Sequence, residues 1–252
     1  ITDDQDKQKH FFMFGAMGLG GRGAYALDLS KIDSSNLTGV SMFDVQNDKN
    51  NNNNKNDNNR VKLGYTVGTP QIGKIRNGKY AAFLASGYAA KNIGSGDNTT
   101  ALYVYDLENT LGTPIAKIEA PGGKGGLSSP TLVDKDLDGI VDIAYAGDRG
   151  GNMYRFDLSN SDPNKWSAKA IFEGTKPITS APAVSRLADK RVVIFGTGSD
   201  LSEEDVLDTK EQYIYGIFDD DKGTVNVKVD PKGLGGGLLE QVLKEESKTL
   251  FL

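Results

Sequence analysis

Aligned against itself, the chain repeats one order of elements three times, and this repetition constrains the fold more than any other feature. The first copy runs through residues 68–72, 80–87, 102–107 and 115–118. The second runs through 128–132, 142–147, 153–158 and 167–171, and the third through 180–184, 192–198, 213–219 and 225–227. A proline opens each copy, and Pro70, Pro130 and Pro182 stand 60 and 52 residues apart. The second run of each copy is small and apolar, the composition of a strand buried on both faces. The third alternates aromatic and smaller residues and closes on Asp, where a chain turns. Residues 12–15 and 25–29 form an incomplete earlier copy. Long helical patterns are scarce, with at most a turn or two at 201–210 and at 238–244. The fold class is therefore all-β, and four strands per repeat of this length form the blade of a β-propeller. The chain holds about three and a half blades of one propeller domain spanning 1–252, part of a larger ring, since propellers close with about 4–8 blades.

Residues 47–59 hold nine Asn among Lys and Asp, with nothing apolar to bury, and read as a disordered surface loop. The glycine-rich stretches 121–126 and 233–237 read as connectors. The chain opens on Ile1-Thr2-Asp3-Asp4, with no initiator Met and no basic-then-apolar leader. It reads as a piece of a longer polypeptide whose targeting signal lies upstream.

Composition narrows the chemistry. A net charge of −5 argues against nucleic acid, because phosphate binding rests on clustered Lys and Arg. No apolar run reaches the roughly 20 residues of a membrane-spanning helix. Zero Cys excludes disulfides, zinc–thiolate sites and thiol catalysis, and the single His10, expected to be exposed, removes the usual general base. The expectation is a non-enzymatic chain with no catalytic residues.

One motif stands out. In the segment from Asp134 to Asp142, carboxylates occupy relative positions 1, 3, 5 and 9 as Asp134, Asp136, Asp138 and Asp142, with Gly139 at position 6. That is the opening of a calcium loop of the EF-hand kind. A loop winding around one cation points every second side chain inward, and Gly139 allows the sharp bend. The carbonyl of Ile140 would supply the oxygen of position 7. Position 12 is Tyr145 rather than Glu, and no helix pattern flanks the loop, so Asp142 has to close the shell. Several carboxylates plus a carbonyl suit calcium better than magnesium, at an affinity on the order of 10⁻⁴–10⁻³ M for extracellular modules. The ion could regulate or only pin the hairpin.

Other motifs read as structural. The run from Gly18 to Gly23 matches G-x-G-x-x-G, but a strand rather than a helix follows, so it is a hairpin connection. Asp28, Asp106, Asp157 and Asp219 recur at one place in the repeat and are expected to cap turns. Trp166, the only Trp, is expected to pack against a strand.

The run from Gly126 to Val133, the Asp loop, and the run from Ala144 to Leu158 closely resemble the PilC/PilY family of type IV pilus proteins, most of all its PilC branch. So do 176–183 and 195–201, and the likeness covers most of 60–252. The resemblance implies a secreted protein of the bacterial cell surface, pilus (fimbrium) or outer membrane, whose C-terminal domain is a β-propeller. It implies pilus biogenesis, adhesion and twitching motility, with major or minor pilins and the pilus assembly machinery as partners. It further implies calcium at Asp134, Asp136, Asp138, the Ile140 carbonyl and Asp142, tuning the balance of pilus extension and retraction. A host-cell receptor is a further possible partner, with calcium then purely structural. No Arg-Gly-Asp triplet occurs, so integrin binding does not carry over. Quinone-dependent dehydrogenases also use propellers, but one Trp and an incomplete ring speak against that class.

Overall fold

The computed structural model describes residues 10–32, 37–48, 60–89, 99–220, 222–242, 244–246 and 249–251. Its first sheet is antiparallel, built from β1 (Phe12–Ala16), β2 (Gly23–Asp28) and β3 (Ser41–Gln46). The second is a four-stranded meander of β4 (Gln71–Lys74), β5 (Tyr80–Ala85), β6 (Ala101–Asp106) and β7 (Ala116–Glu119). The third repeats it with β8 (Thr131–Val133), β9 (Ile143–Gly147), β10 (Asn152–Asp157) and β11 (Ser167–Glu173). The fourth joins β12 (Ala183–Arg186), β13 (Arg191–Gly196) and β14 (Ile214–Asp219), with a four-residue helix α1 (Glu203–Val206) between the last two.

Strand alternation explains how the sheets stack. Successive side chains on a strand point to opposite faces. In the second sheet, Ala82, Leu84, Tyr103 and Tyr105 pack against Phe14, Ala26, Phe43 and Val45 of the first. Their alternating neighbours Ala81, Phe83, Leu102 and Val104 pack the other way, against Ala144, Ala146, Tyr154 and Phe156 of the third. The third sheet repeats the division: Ile143, Tyr145 and Met153 face Val193, Phe195, Tyr215 and Ile217 of the fourth. Phe172 meets the rings of Phe195 and Tyr215 at 5.0 and 4.6 Å. Each such fully buried large side chain contributes roughly 1.5–3 kcal/mol. The two middle sheets are therefore apolar on both faces, and the repeats are propeller blades laid face to face.

Among the described residues, each of the two end sheets is covered on one face only. Ile214 and Phe218 on β14 and Ile194 on β13 are exposed, as are Met13 on β1 and Tyr25 on β2. These outward faces carry the same kind of residues that elsewhere meet a neighbouring blade, which fits a partial propeller.

The structure corrects several expectations. The incomplete first copy has a third strand, β3, which repeat alignment missed. The run 225–227 does not become the fourth strand of the last blade. Instead β15 (Val227–Lys228) pairs in parallel with β11, extending the third sheet to five strands. Glu173 at the end of β11 draws it there, accepting from Asn226 Nδ2 at 2.8 Å and pairing with Lys228 Nζ at 3.2 Å. The described part of 238–244 is not helical, and a short hairpin of β16 (Lys244–Glu246) and β17 (Thr249–Phe251) follows. Most of the Asn-rich loop expected at 47–59 lies outside the described residues. Its first residues do not: Asn47 bonds both backbone groups of Leu63, and Asp48 accepts from Val61 N–H at 2.7 Å.

A close crossing joins the stack from first sheet to third. The segment before β4 runs against the one after β5 through mutual Tyr65–Tyr88 backbone bonds, and the Gly87 N–H continues to the Leu127 carbonyl. Gly87 has φ +72°, and a Cβ there would overlap the Tyr65 carbonyl. Gly87→Ala combines left-handed strain with a backbone clash, so it should cost about 3 kcal/mol or more. A thermal melt should fall by roughly 6–12 °C for a chain of this size; an unchanged melt would mean that the crossing relaxes freely.

Candidate metal centre

The acidic loop is the β8–β9 turn. Asp142 N–H bonds the Val133 carbonyl at 3.0 Å, closing the stem, and Val141 N–H bonds Lys74 O of the neighbouring blade at 2.8 Å. Inside, Asp134 organises the bend: its carboxylate accepts from the N–H groups of Leu137 (2.6 Å), Asp138 (3.2 Å) and Gly139 (2.7 Å). Asp138 accepts from Ile140 N–H at 2.9 Å. Leu137 and Gly139 adopt φ +65° and +86°, so the chain reverses tightly twice. Glycine tolerates that geometry and leucine does not readily, which makes the loop a specified conformation.

The result is that Asp134, Asp136 and Asp138 each offer a carboxylate oxygen within 4.8 Å of the others. Three anionic oxygens so close repel unless a cation lies among them, and hard oxygen donors suit calcium. The Ile140 N–H, then the Arg76 guanidinium, hold the Asp138 carboxyl below its ordinary range, so it is ionised at neutral pH.

Asp142, the expected fourth carboxylate, is buried and stands apart from the three. One oxygen accepts from Lys135 N–H at 2.9 Å, and the other is held by Arg76 Nη2. Ile140 forms a parallel bridge with Lys74 at the loop's exit. Arg76 also pairs with Asp138 at 2.7 Å and lies 3.9 Å from Asp136. Sequence reading missed it, because it sits 66 residues before Asp142 in a different repeat. Beside the loop, Leu132, Asp134, Asp136, Leu187, Asp189 and Lys190 help line a cavity of about 520 Å³ reaching the β12–β13 turn. Leu137 is exposed at its rim.

The other sequence candidates divide. Asp28, Asp106 and Asp157 accept from the N–H two residues on, at 3.1, 2.8 and 3.0 Å, as turn caps do. Asp219 does not. It is fully buried, accepts from the Tyr145 hydroxyl, and lies 3.7 Å from both Arg155 and Arg191. The turn role passes to Asp220, which accepts from Lys222 N–H at 3.1 Å. The run 18–23 is the β1–β2 hairpin, and β2 opens at Gly23 with no helix. His10 is not fully exposed: it stacks on Phe12 at 5.5 Å and lies 3.4 Å from Asp28. Trp166 is buried, donating its indole N–H to Asn160 O at 2.7 Å. Among the described residues, no helix is long and apolar enough to cross a membrane.

Stacked antiparallel blades, one of them carrying an acidic loop at its first hairpin, define a β-propeller module with a candidate cation site at the blade edge. The chain belongs to the PilY1 β-propeller domain family, whose profile matches residues 1–252. It is 30% identical over 279 aligned positions to the type IV pilus biogenesis factor PilY1 of Pseudomonas aeruginosa strain UCBPP-PA14, covering 96% of this chain and 22% of that protein. A PilY1 homologue of Xylella fastidiosa is 33% identical over 166 positions, covering 61% of this chain and 10% of the homologue. The crystal structure of the P. aeruginosa PilY1 C-terminal domain superposes with a TM-score of 0.68 at 26% identity, covering 88% of this chain and 49% of that one. The chain thus spans about a fifth of the length of the first curated relatives it matches.

Proposed function

We propose that this chain is a non-enzymatic, calcium-binding module of a type IV pilus biogenesis factor, secreted to the bacterial cell surface and acting with pilins and the pilus assembly machinery. The observation that carries the reading is the trio Asp134, Asp136 and Asp138, gathered within reach of one ion in a loop whose N–H groups bond Asp134 and Asp138, in a chain of a pilus biogenesis family. Asp134, Asp136, Asp138, the Ile140 carbonyl and Asp142 are the residues that would hold calcium, which when bound would neutralise the carboxylates. The chain's own part is local. Asp134 and Gly139 set the bend, and the exposed Leu137 and the adjoining cavity offer a surface whose shape follows the loop's order. That surface is our candidate for the contact through which calcium tunes pilus extension against retraction, and with it adhesion and motility.

The test is to place Asp134→Ala and Asp138→Ala, singly, in the full-length protein of its own bacterium and to count surface pili and measure twitching with and without added calcium. Both variants should lose the calcium response while keeping normal protein levels. Unchanged pili and motility, with host-cell adhesion also intact, would sink the regulatory reading and leave the ion a structural role at most.

A further inference from the structure

Arg76 lies on the β4–β5 turn, in the blade next to the one that carries the loop. Its backbone is fixed. Ile75 before it is buried, its N–H bonds Lys79 O at 2.8 Å and its carbonyl accepts from Gly78 N–H at 2.8 Å. The loop's exit is tied to the same strand by Val141 N–H on Lys74 O. From this mount the guanidinium meets Asp138 Oδ2 through Nη1 at 2.7 Å and Asp142 Oδ1 through Nη2. The remaining oxygens of those two carboxylates are also engaged. Asp138 Oδ1 takes the Ile140 N–H, and Asp142 Oδ2 takes the Lys135 N–H. A divalent ion that uses Asp138 and Asp142 therefore has to share or displace the oxygens that Arg76 holds.

Resting on the calcium reading above, we infer that Arg76 is a built-in counter-cation that competes with calcium for Asp138 and Asp142. Metal binding at the loop and the Arg76 contact between neighbouring blades are then alternatives. A side chain that merely oriented a ligand would leave one oxygen of each carboxylate unengaged; here both oxygens of Asp138 and of Asp142 already accept hydrogen bonds. The competition has two effects. It relieves carboxylate repulsion in the metal-free loop, and it weakens calcium binding. Because the rival cation belongs to another blade, calcium release adds the Arg76 contact between the loop's carboxylates and the β4–β5 turn, and calcium uptake removes that side-chain contact. By linkage, whatever displaces Arg76 from the loop favours the metal, and the metal favours that displacement equally.

The test is a calorimetric calcium titration, with thermal melts at zero and saturating calcium, on the 252-residue chain. The proteins are the wild type, Arg76→Gln and Arg76→Lys. A fixed positive charge about 5 Å from a divalent ion opposes its binding by roughly tenfold even at the dielectric of water. Arg76→Gln should therefore bind calcium about tenfold more tightly, melt lower without calcium, and gain more from its addition. Arg76→Lys keeps the charge but not the two-pronged grip, so it should fall between. Arg76 is on the surface, so neither change should prevent folding. Saturable binding by Arg76→Gln alone would also support the competition. Equal or weaker affinity in Arg76→Gln, with the wild type binding normally, overturns the role of Arg76 and leaves the calcium reading standing. No saturable binding by either protein overturns both, and a lowered metal-free melt would then mark Arg76 as a plain ion pair between blades.

Discussion

Asp138→Ala should lower calcium affinity by roughly a hundredfold or more while leaving the fold in place. The expectation follows from Coulomb's law: a carboxylate about 2.4 Å from a divalent ion contributes about 3 kcal/mol even at the dielectric of water. Asp138 is one of the three carboxylates already brought together, and its side chain is more than one-third exposed, so its loss leaves no buried cavity. In a calorimetric titration the wild type should show saturable one-site binding, and the variant should not saturate at the same calcium concentrations. The melting temperature should rise with calcium in the wild type by the mass-action term, about 2.7 kcal/mol at a hundredfold excess over the dissociation constant. In the variant the same calcium concentration should add only about 0.4 kcal/mol or less. Equal calcium-induced shifts in the two proteins would count against Asp138 as a ligand. No heat and no shift in the wild type would reduce the loop to an acidic turn.

The second large effect lies at the interface of the third and fourth sheets, away from the loop. Asp219 is fully buried and accepts from the Tyr145 hydroxyl, with Arg155 and Arg191 at 3.7 Å, and Arg191 Nε donates to the Tyr145 oxygen at 2.9 Å. Burial first, and the anion beside it second, push the Tyr145 hydroxyl well above the usual tyrosine range, so it stays a donor at any physiological pH. Asp219→Ala leaves guanidinium groups beside a buried void where their counter-charge had been. Breaking a buried pair from one side typically costs about 3–5 kcal/mol. For a chain of this size the melt should drop by roughly 6–20 °C. Calcium affinity should be unchanged, which separates this variant from those of the loop. A loss below about 1 kcal/mol would place the cluster in the class of solvated surface pairs.

The repeat was legible because its cause is local. A strand covered on both faces has to be apolar throughout, and 80–85 and 143–147 are written that way, so β5 and β9 fell where expected. The acidic loop was legible for a similar reason: alternate carboxylates and a glycine within nine residues set their own geometry, and Asp134, Asp136 and Asp138 come together as the spacing required. Asp142 keeps the spacing, and what the sequence did not reveal is that a guanidinium from another blade also holds it. Asp219 looked like its three counterparts in the repeat. Its different role depends on Arg155 and Arg191, which pattern matching could not assign to it.

By itself, then, the sequence determined the blade, its four-strand rhythm and a loop able to gather carboxylates, since each depends on residues a few positions apart. Only the tertiary structure decided which blade edge receives residues 227–228, which acid becomes the buried charge, and which cation reaches the loop. Those outcomes depend on side chains dozens of residues apart meeting across stacked sheets. No local periodicity encodes such a meeting, because it is set by how neighbouring blades pack.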